Sequence, residues 1–153
     1  MFLVNDGIKR REHRVRNYLH KEPIIAVLLA AGNVEWTLYR AIISLCSEPN
    51  VELREKLSKV YGLDRYKKFW HENIASQPDG KPLTTIIRNW AALREAFSLR
   101  NKLIHGRDRC TYNMASPHVE VMLQAVADIH NYCLSMSVNL DERLRVRRKT
   151  KAV

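Results

Sequence analysis

Leu99-Arg100-Asn101-Lys102-Leu103-Ile104-His105-Gly106 closes the part of the chain where an apolar pattern meets a set of reactive side chains. Going backward at about 100° per residue, Leu83, Ile86, Ile87, Trp90, Leu93 and Phe97 form one apolar stripe, and Asn101 and His105 lie on its continuation. Ala92, Ala96, Leu99 and Leu103 form a second apolar line, leaving a narrow charged face at Arg88, Glu95 and Lys102. The spacing predicts one helix over about residues 83–105, covered on both sides, with Gly106 just past its end. Polar groups on such a helix are costly unless hydrogen-bonded or lining a wet cleft. That cost singles out Arg100, Asn101 and His105.

Upstream, Ile24, Val27, Leu28, Ala31, Val34, Leu38, Ala41, Ile42 and Leu45 repeat at the helical period behind Pro23, a residue suited to a first helical turn. They predict a long core helix. Ahead of it, residues 5–21 interleave Ile8, Val15, Tyr18 and Leu19 with Lys9, Arg10, Arg11, Arg14, Arg16 and Lys21, a basic helix or arm against the body. Ser47-Glu48-Pro49-Asn50 is a break, Val51 to Tyr61 a shorter charged helix ended by Gly62, and Tyr66, Phe69, Trp70 and Ile74 one face of a further short helix. Residues 76–82 are the clearest loop. Downstream of the motif, Ser116 and Pro117 read as the cap and first residue of a last helix, with Val119, Met122, Val126, Ile129, Cys133 and Met136 facing the core. The expected fold is all-α, an up-down bundle of four to five helices, with the motif at the C-terminal end of the penultimate long one.

The 153 residues suffice for one domain. We divide them into a helical body over 1–140 and a basic tail over 141–153, which holds Arg143, Arg145, Arg147, Arg148, Lys149 and Lys151. A net charge of +10 and a pI near 9.8 point to an anionic partner, nucleic acid first. Cys46, Cys110 and Cys133 contain no CxxC pair and fit reduced thiols. No apolar run reaches the ~20 residues of a membrane span, so the expectation is a cytoplasmic protein without a membrane partner. His13, His20, His71, His118 and His130 show no HxxxH or HExxH spacing, so neither a metal nor another cofactor is expected. Trp36, Trp70 and Trp90 stand among apolar periodic positions and read as core.

Metal-free RNA cleavage needs a base for a ribose 2′-hydroxyl, an acid for the leaving 5′-oxygen and a cation for the phosphorane. Imidazole can take or give a proton near neutrality, which suits His105. Arg100 forks onto phosphate oxygens, and Asn101, one turn before His105, could fix the imidazole or bind phosphate. Lys102, Arg107 and Arg109 are candidate substrate contacts. One chain supplies one set, whereas in-line chemistry needs groups on both sides of phosphorus, so a two-fold homodimer with a composite site is expected.

The spacing Arg100-Asn101-x3-His105, followed by Gly106, resembles the signature of the HEPN superfamily. The resemblance covers the motif, its helix, the long core helix and the last helix. It implies a helical bundle whose Arg-polar-x3-His motifs meet across a dimer, a metal-independent endoribonuclease leaving 2′,3′-cyclic phosphate ends, and a toxin–antitoxin or phage-defence setting with an antitoxin or regulatory protein as partner. The toxin branch carries a modifiable Tyr two residues after the His, where this chain has Arg107; Tyr112 does not match. Glu35, on the core helix, is a candidate acid behind the site. Two other readings of the same residues stand beside the enzyme: a non-catalytic basic module that binds nucleic acid, and an interaction subunit whose polar motif specifies a dimer.

Overall fold

The computed structural model describes residues 6–150, and among them the chain is helical with no strand. Four long helices, α1 (Ile8–Lys21), α2 (Pro23–Leu45), α6 (Trp90–Ile104) and α7 (Tyr112–Ser135), form the bundle. Three short ones, α3 (Asn50–Leu57), α4 (Leu63–Trp70) and α5 (Leu83–Ile86), lie along the excursion between α2 and α6, and α4 runs on into a π-helical turn over His71–Ala75. All seven sit in an all-α bundle, the class expected from the periodicity, with more short helices than the four or five anticipated.

The long helices alternate up and down. Contacts from α1 to the α7 side run in opposite senses: the Ile8 N–H donates to Asp141 Oδ1 at 3.0 Å, Arg16 pairs with Glu120 at mid-height, and the His20 ring stacks on Tyr112 with centroids 4.8 Å apart. A single residue, Glu22, joins α1 to α2, with Pro23 at the first helical position. At the far end of α6 a short loop returns to α7, while Arg88, just before α6, reaches Asp128 late in α7. The core runs through Val27, Val34, Leu38 and Ile42 of α2 and Met122, Val126 and Ile129 of α7. Trp70 is fully enclosed, and its indole N–H donates to the Lys81 carbonyl at 2.9 Å.

Four expectations fail at helix ends, each for a local reason. The stripe from Leu83 to His105 is two helices: Ile87 turns extended (φ −85°, ψ 111°), and Asn89 starts α6 by accepting the Ala92 N–H at 3.1 Å. Buried Asp128 stabilises the break, accepting from the backbone and side chain of Arg88 and from Gln124. The last helix begins at Tyr112, because Thr111 Oγ1 accepts the Met114 N–H and caps it before Ser116 is reached. Pro117 therefore lies inside α7, where it leaves only the carbonyl four residues earlier without its helical donor. That residue, Asn113, is exposed to water. The helix expected over Val51–Tyr61 tightens at its end, with Val60 donating to the Leu57 carbonyl, and stops at Leu57. Met136, expected in the core, caps the end of α7 in an exposed position.

Arg11 departs from the solvated basic arm altogether. It is 1% exposed, with its guanidinium carbon 3.0 Å above the Trp36 ring, and Arg40 lies 4.6 Å from the same ring. Burial pulls Arg11 down to about 10 from the usual arginine range, with repulsion from Arg40 adding to it. In the segment expected as a tail, just beyond buried Leu140, Arg147 packs back on the body. Its side chain donates to the Glu48 and Ile43 carbonyls, and its backbone exchanges hydrogen bonds with Asn50.

Removing the Asp128 acceptor with Asp128→Ala is expected to cost about 1–3 kcal/mol in urea unfolding. A smaller change would mean that the α5–α6 break does not depend on it. Burial also raises the thiols of Cys46 and Cys133, to about 11 and about 12. Unfolded thiols ionise near ~8.5, so the fold is expected to lose stability as pH rises above that value. At pH 8.5 iodoacetamide should label half-exposed Cys110 in the native protein and all three cysteines in urea. Native labelling of Cys133 at the same rate would contradict this packing.

Candidate functional site

Two lines of α6, Leu93 and Phe97 on one side and Ala96, Leu99 and Leu103 on the other, are buried as the periodicity predicts. Arg100 rises between them at the edge of the core, its side chain 20% exposed. Its guanidinium is held from two directions: Nη2 lies 2.9 Å from Glu35 Oε2, and Nη1 donates to Asn101 Oδ1 at 3.0 Å. The Phe97 ring, 5.5 Å away, lies beneath it. A charge-assisted contact of this kind fixes the planar fork of Arg more firmly than a solvent-exposed pair would.

Glu35, already a candidate acid behind the site from the sequence, carries a second signal there. In the 23 residues of α2 only Glu35 and Arg40 carry charge, and an isolated charge on an otherwise apolar helix needs a partner. Glu35 has Arg100, and Arg40 donates to the Leu140 and Glu142 carbonyls. The Glu35 carboxylate also bears on Tyr66, whose hydroxyl is pushed up to about 12, chiefly by burial and then by that negative charge.

Beyond Arg100 the helix ends in a Schellman turn. The Arg107 N–H donates to the Lys102 carbonyl at 2.9 Å and the Gly106 N–H to the Leu103 carbonyl at 3.1 Å. Gly106 has φ +63°, a conformation that a side chain resists. His105 is the last residue before it and is exposed. The turn thus presents the imidazole outward from a backbone fixed on both sides. Asn101 spends its side-chain oxygen on Arg100, and its backbone carbonyl accepts the His105 N–H at 3.3 Å. Lys102, Arg107 and Arg109 are all exposed, the last two on the loop to α7, where Asp108 Oδ1 accepts the Arg109 N–H.

Asn101 also reaches a groove of about 430 Å3 between the start of α4 and the outer face of α6, which Tyr61, Asp64, Arg65, Arg94 and Ser98 help to line. None of these five was singled out by sequence pattern. On the other side of the motif, exposed apolar side chains gather at the same end of the bundle: Tyr18 from the end of α1, Ile24 and Ile25 from the start of α2, Ile104 from the end of α6, and Tyr112 and Met114 from the start of α7.

Among the described residues no three His, Cys, Asp or Glu side chains gather as metal ligands, and no helix is long and apolar enough to cross a membrane. No protein-family model matches the chain, and no curated protein or solved structure matches it either.

If Arg100 and Glu35 hold each other in solution, a double-mutant cycle with Glu35→Gln and Arg100→Gln should give a coupling of about 0.5–1 kcal/mol in urea unfolding. Additive effects would mean that the two side chains do not meet.

Proposed function

We propose that the chain is a metal-independent endoribonuclease, with Arg100, Asn101 and His105 as its reacting and phosphate-binding groups. The observation that carries this reading is an oriented guanidinium, fixed by Glu35 and Asn101, five residues before an exposed histidine that Asn101 precedes by one helical turn. In the reaction a ribose 2′-hydroxyl attacks the adjacent phosphorus and loses its proton to one imidazole. The P–O5′ bond breaks, and the 5′-oxygen takes a proton from a second imidazole. The products are a 2′,3′-cyclic phosphate and a 5′-hydroxyl. Arg100 stabilises the charge on the phosphorane oxygens, and each proton transfer contributes about 10²–10⁴ in rate.

Two imidazoles on opposite sides of phosphorus require two copies of the motif. A two-fold dimer through the motif end of the bundle supplies them and covers Ile104, Tyr112 and Met114, which the single chain leaves in water. Apolar side chains gathered on one surface are a common mark of such contacts. Arg107 and Arg109 then flank the cleft from each side. The net charge of +10 favours a polyanionic substrate. The HEPN resemblance adds the biological setting, a toxin–antitoxin or phage-defence system in which a second protein restrains the activity.

The test is cleavage of a mixed RNA pool in EDTA, with product ends identified and association measured by sedimentation. The parent should release cyclic phosphate ends, while Arg100→Ala and His105→Ala, folded and still dimeric, should lose at least about 100-fold in rate. Ile104→Glu should lower both association and cleavage. Equal cleavage by His105→Ala would overturn the reading. Salt-sensitive RNA binding without cleavage, unchanged in His105→Ala, would make the chain a binding module instead.

A further inference from the structure

Five residues of the groove beside Asn101 have no part in the chemistry above, yet their combination is specific. Tyr61 is a large aromatic left 67% exposed at the turn before α4, and no core contact explains its position there. The Arg65 guanidinium carbon lies 5.7 Å from its ring, on a side chain that is itself exposed. Across the groove, Arg94 stands on the same face of α6 as Asn101, seven residues or two turns earlier. Among the described residues its close acid is Asp64, at 3.9 Å with both side chains largely in water, a separation at which a phosphate could take the arginine over. Gly62, at φ +76°, bends the backbone between Tyr61 and α4 and helps to line the groove. The volume, about 430 Å3, lies within the ~300–1,000 Å3 range of small-molecule sites.

We propose that this groove is the binding site for a single-stranded RNA nucleotide next to the scissile phosphate, its base stacked on Tyr61 and its phosphate held by Arg94. The assignment rests on the ribonuclease reading for its orientation, since Asn101 belongs both to the groove and to the motif. Single strands fit and duplexes do not, because a base must leave its stack to lie on an exposed tyrosine, whereas paired bases have no free face. Every base has a π-face, so the pocket selects strandedness more than sequence. Arg65, already against the Tyr61 ring, would sandwich the base or hold the next phosphate. Asp64 opposes phosphate and sets a limit on affinity, and its removal should tighten binding.

The experiment uses the full chain and a fluorescein-labelled 12-nucleotide single-stranded RNA, with the matching duplex as control. Binding is followed by anisotropy in the His105→Ala background, so that the probe stays intact, and cleavage is followed separately in the parent. Tyr61→Ala and Arg94→Ala should each weaken single-strand binding about 10-fold or more, within the range typical of lost base–aromatic stacking. Tyr61→Phe should bind nearly as the parent does, and Asp64→Asn should bind more tightly. Duplex binding should change less than about twofold in Tyr61→Ala. All these positions are exposed, and unchanged thermal unfolding would confirm that the variants fold. Single-strand binding unaltered by both Tyr61→Ala and Arg94→Ala overturns the groove even if the parent cleaves RNA. Weakened binding in both, with a parent that does not cleave, keeps the groove and removes the ribonuclease. A parent that binds no RNA removes both.

Discussion

The helix α2 cannot be left open to water on any broad side. Eleven of its 23 residues are buried, most of the opposite face is half-buried, and only two residues carry charge. A helix apolar over so wide an arc is stable only when enclosed, and the other elements are arranged to do that. The most extensive packing is between α2 and α7, α1 folds back along α2 through a one-residue link, α6 closes another side, and α3 and α4 fill what remains. At about 25 cal/mol per Å2 of apolar surface removed from water, this enclosure supplies the main driving force of the fold. The position of the motif follows from it, because α6 can cover α2 only by bringing Arg100 over Glu35.

Arginine is handled in three ways in this protein. Arg100 is set at the core edge against a carboxylate and an amide, which fixes its fork. Arg11, buried, and Arg40, half-buried, both lie against the Trp36 ring, where the indole offers a polarisable surface in place of water. Burial still weakens the charged form of both. Arg65 and Arg94 stand in water with only loose partners, the arrangement in which a guanidinium stays available to phosphate. The formal charge of +10 is therefore not spread evenly in effect. Part of it is taken up in the packing of the body, and part stands in water with loose partners.

Apolar period carried most of the fold, because burial and helical repeat are two sides of one constraint. The core helix, the α1 arm and the inner face of α7 from Val119 to Cys133 could be read in this way. Periodicity failed wherever a polar side chain made the local decision. Nothing in a stripe from Leu83 to Phe97 announces that Asp128, 40 residues away, will take the Arg88 N–H and break the helix, or that Thr111 will cap α7 ahead of Ser116. The same limit applies to the site. Arg100, Asn101, His105 and Gly106 could be read as a spaced pattern on one helix, whereas Glu35 and the Tyr61–Arg94 groove exist only when α2, α4 and α6 meet. Arg11 reversed its reading because a basic residue in a basic run gives no sign that an indole waits for it.

The first helix begins at Ile8, but its end is capped from the other end of the chain. Gly7 offers no side chain, and Asp141 supplies the acceptor across 133 positions. During synthesis at about 5–20 residues per second, some 7–27 s separate the appearance of that N–H from the appearance of its carboxylate. Until then the leading turn of α1 has a local anchor in Asp6, whose carboxylate lies 3.3 Å from Arg10 and from Arg14 and whose carbonyl accepts from Arg11 Nε. The nascent chain thus has that end of the bundle tied only locally, and the turn through Asn139, Leu140 and Asp141 acts as its latch. Since the motif lies at the opposite end, Arg100 can find Glu35 well before the latch shuts.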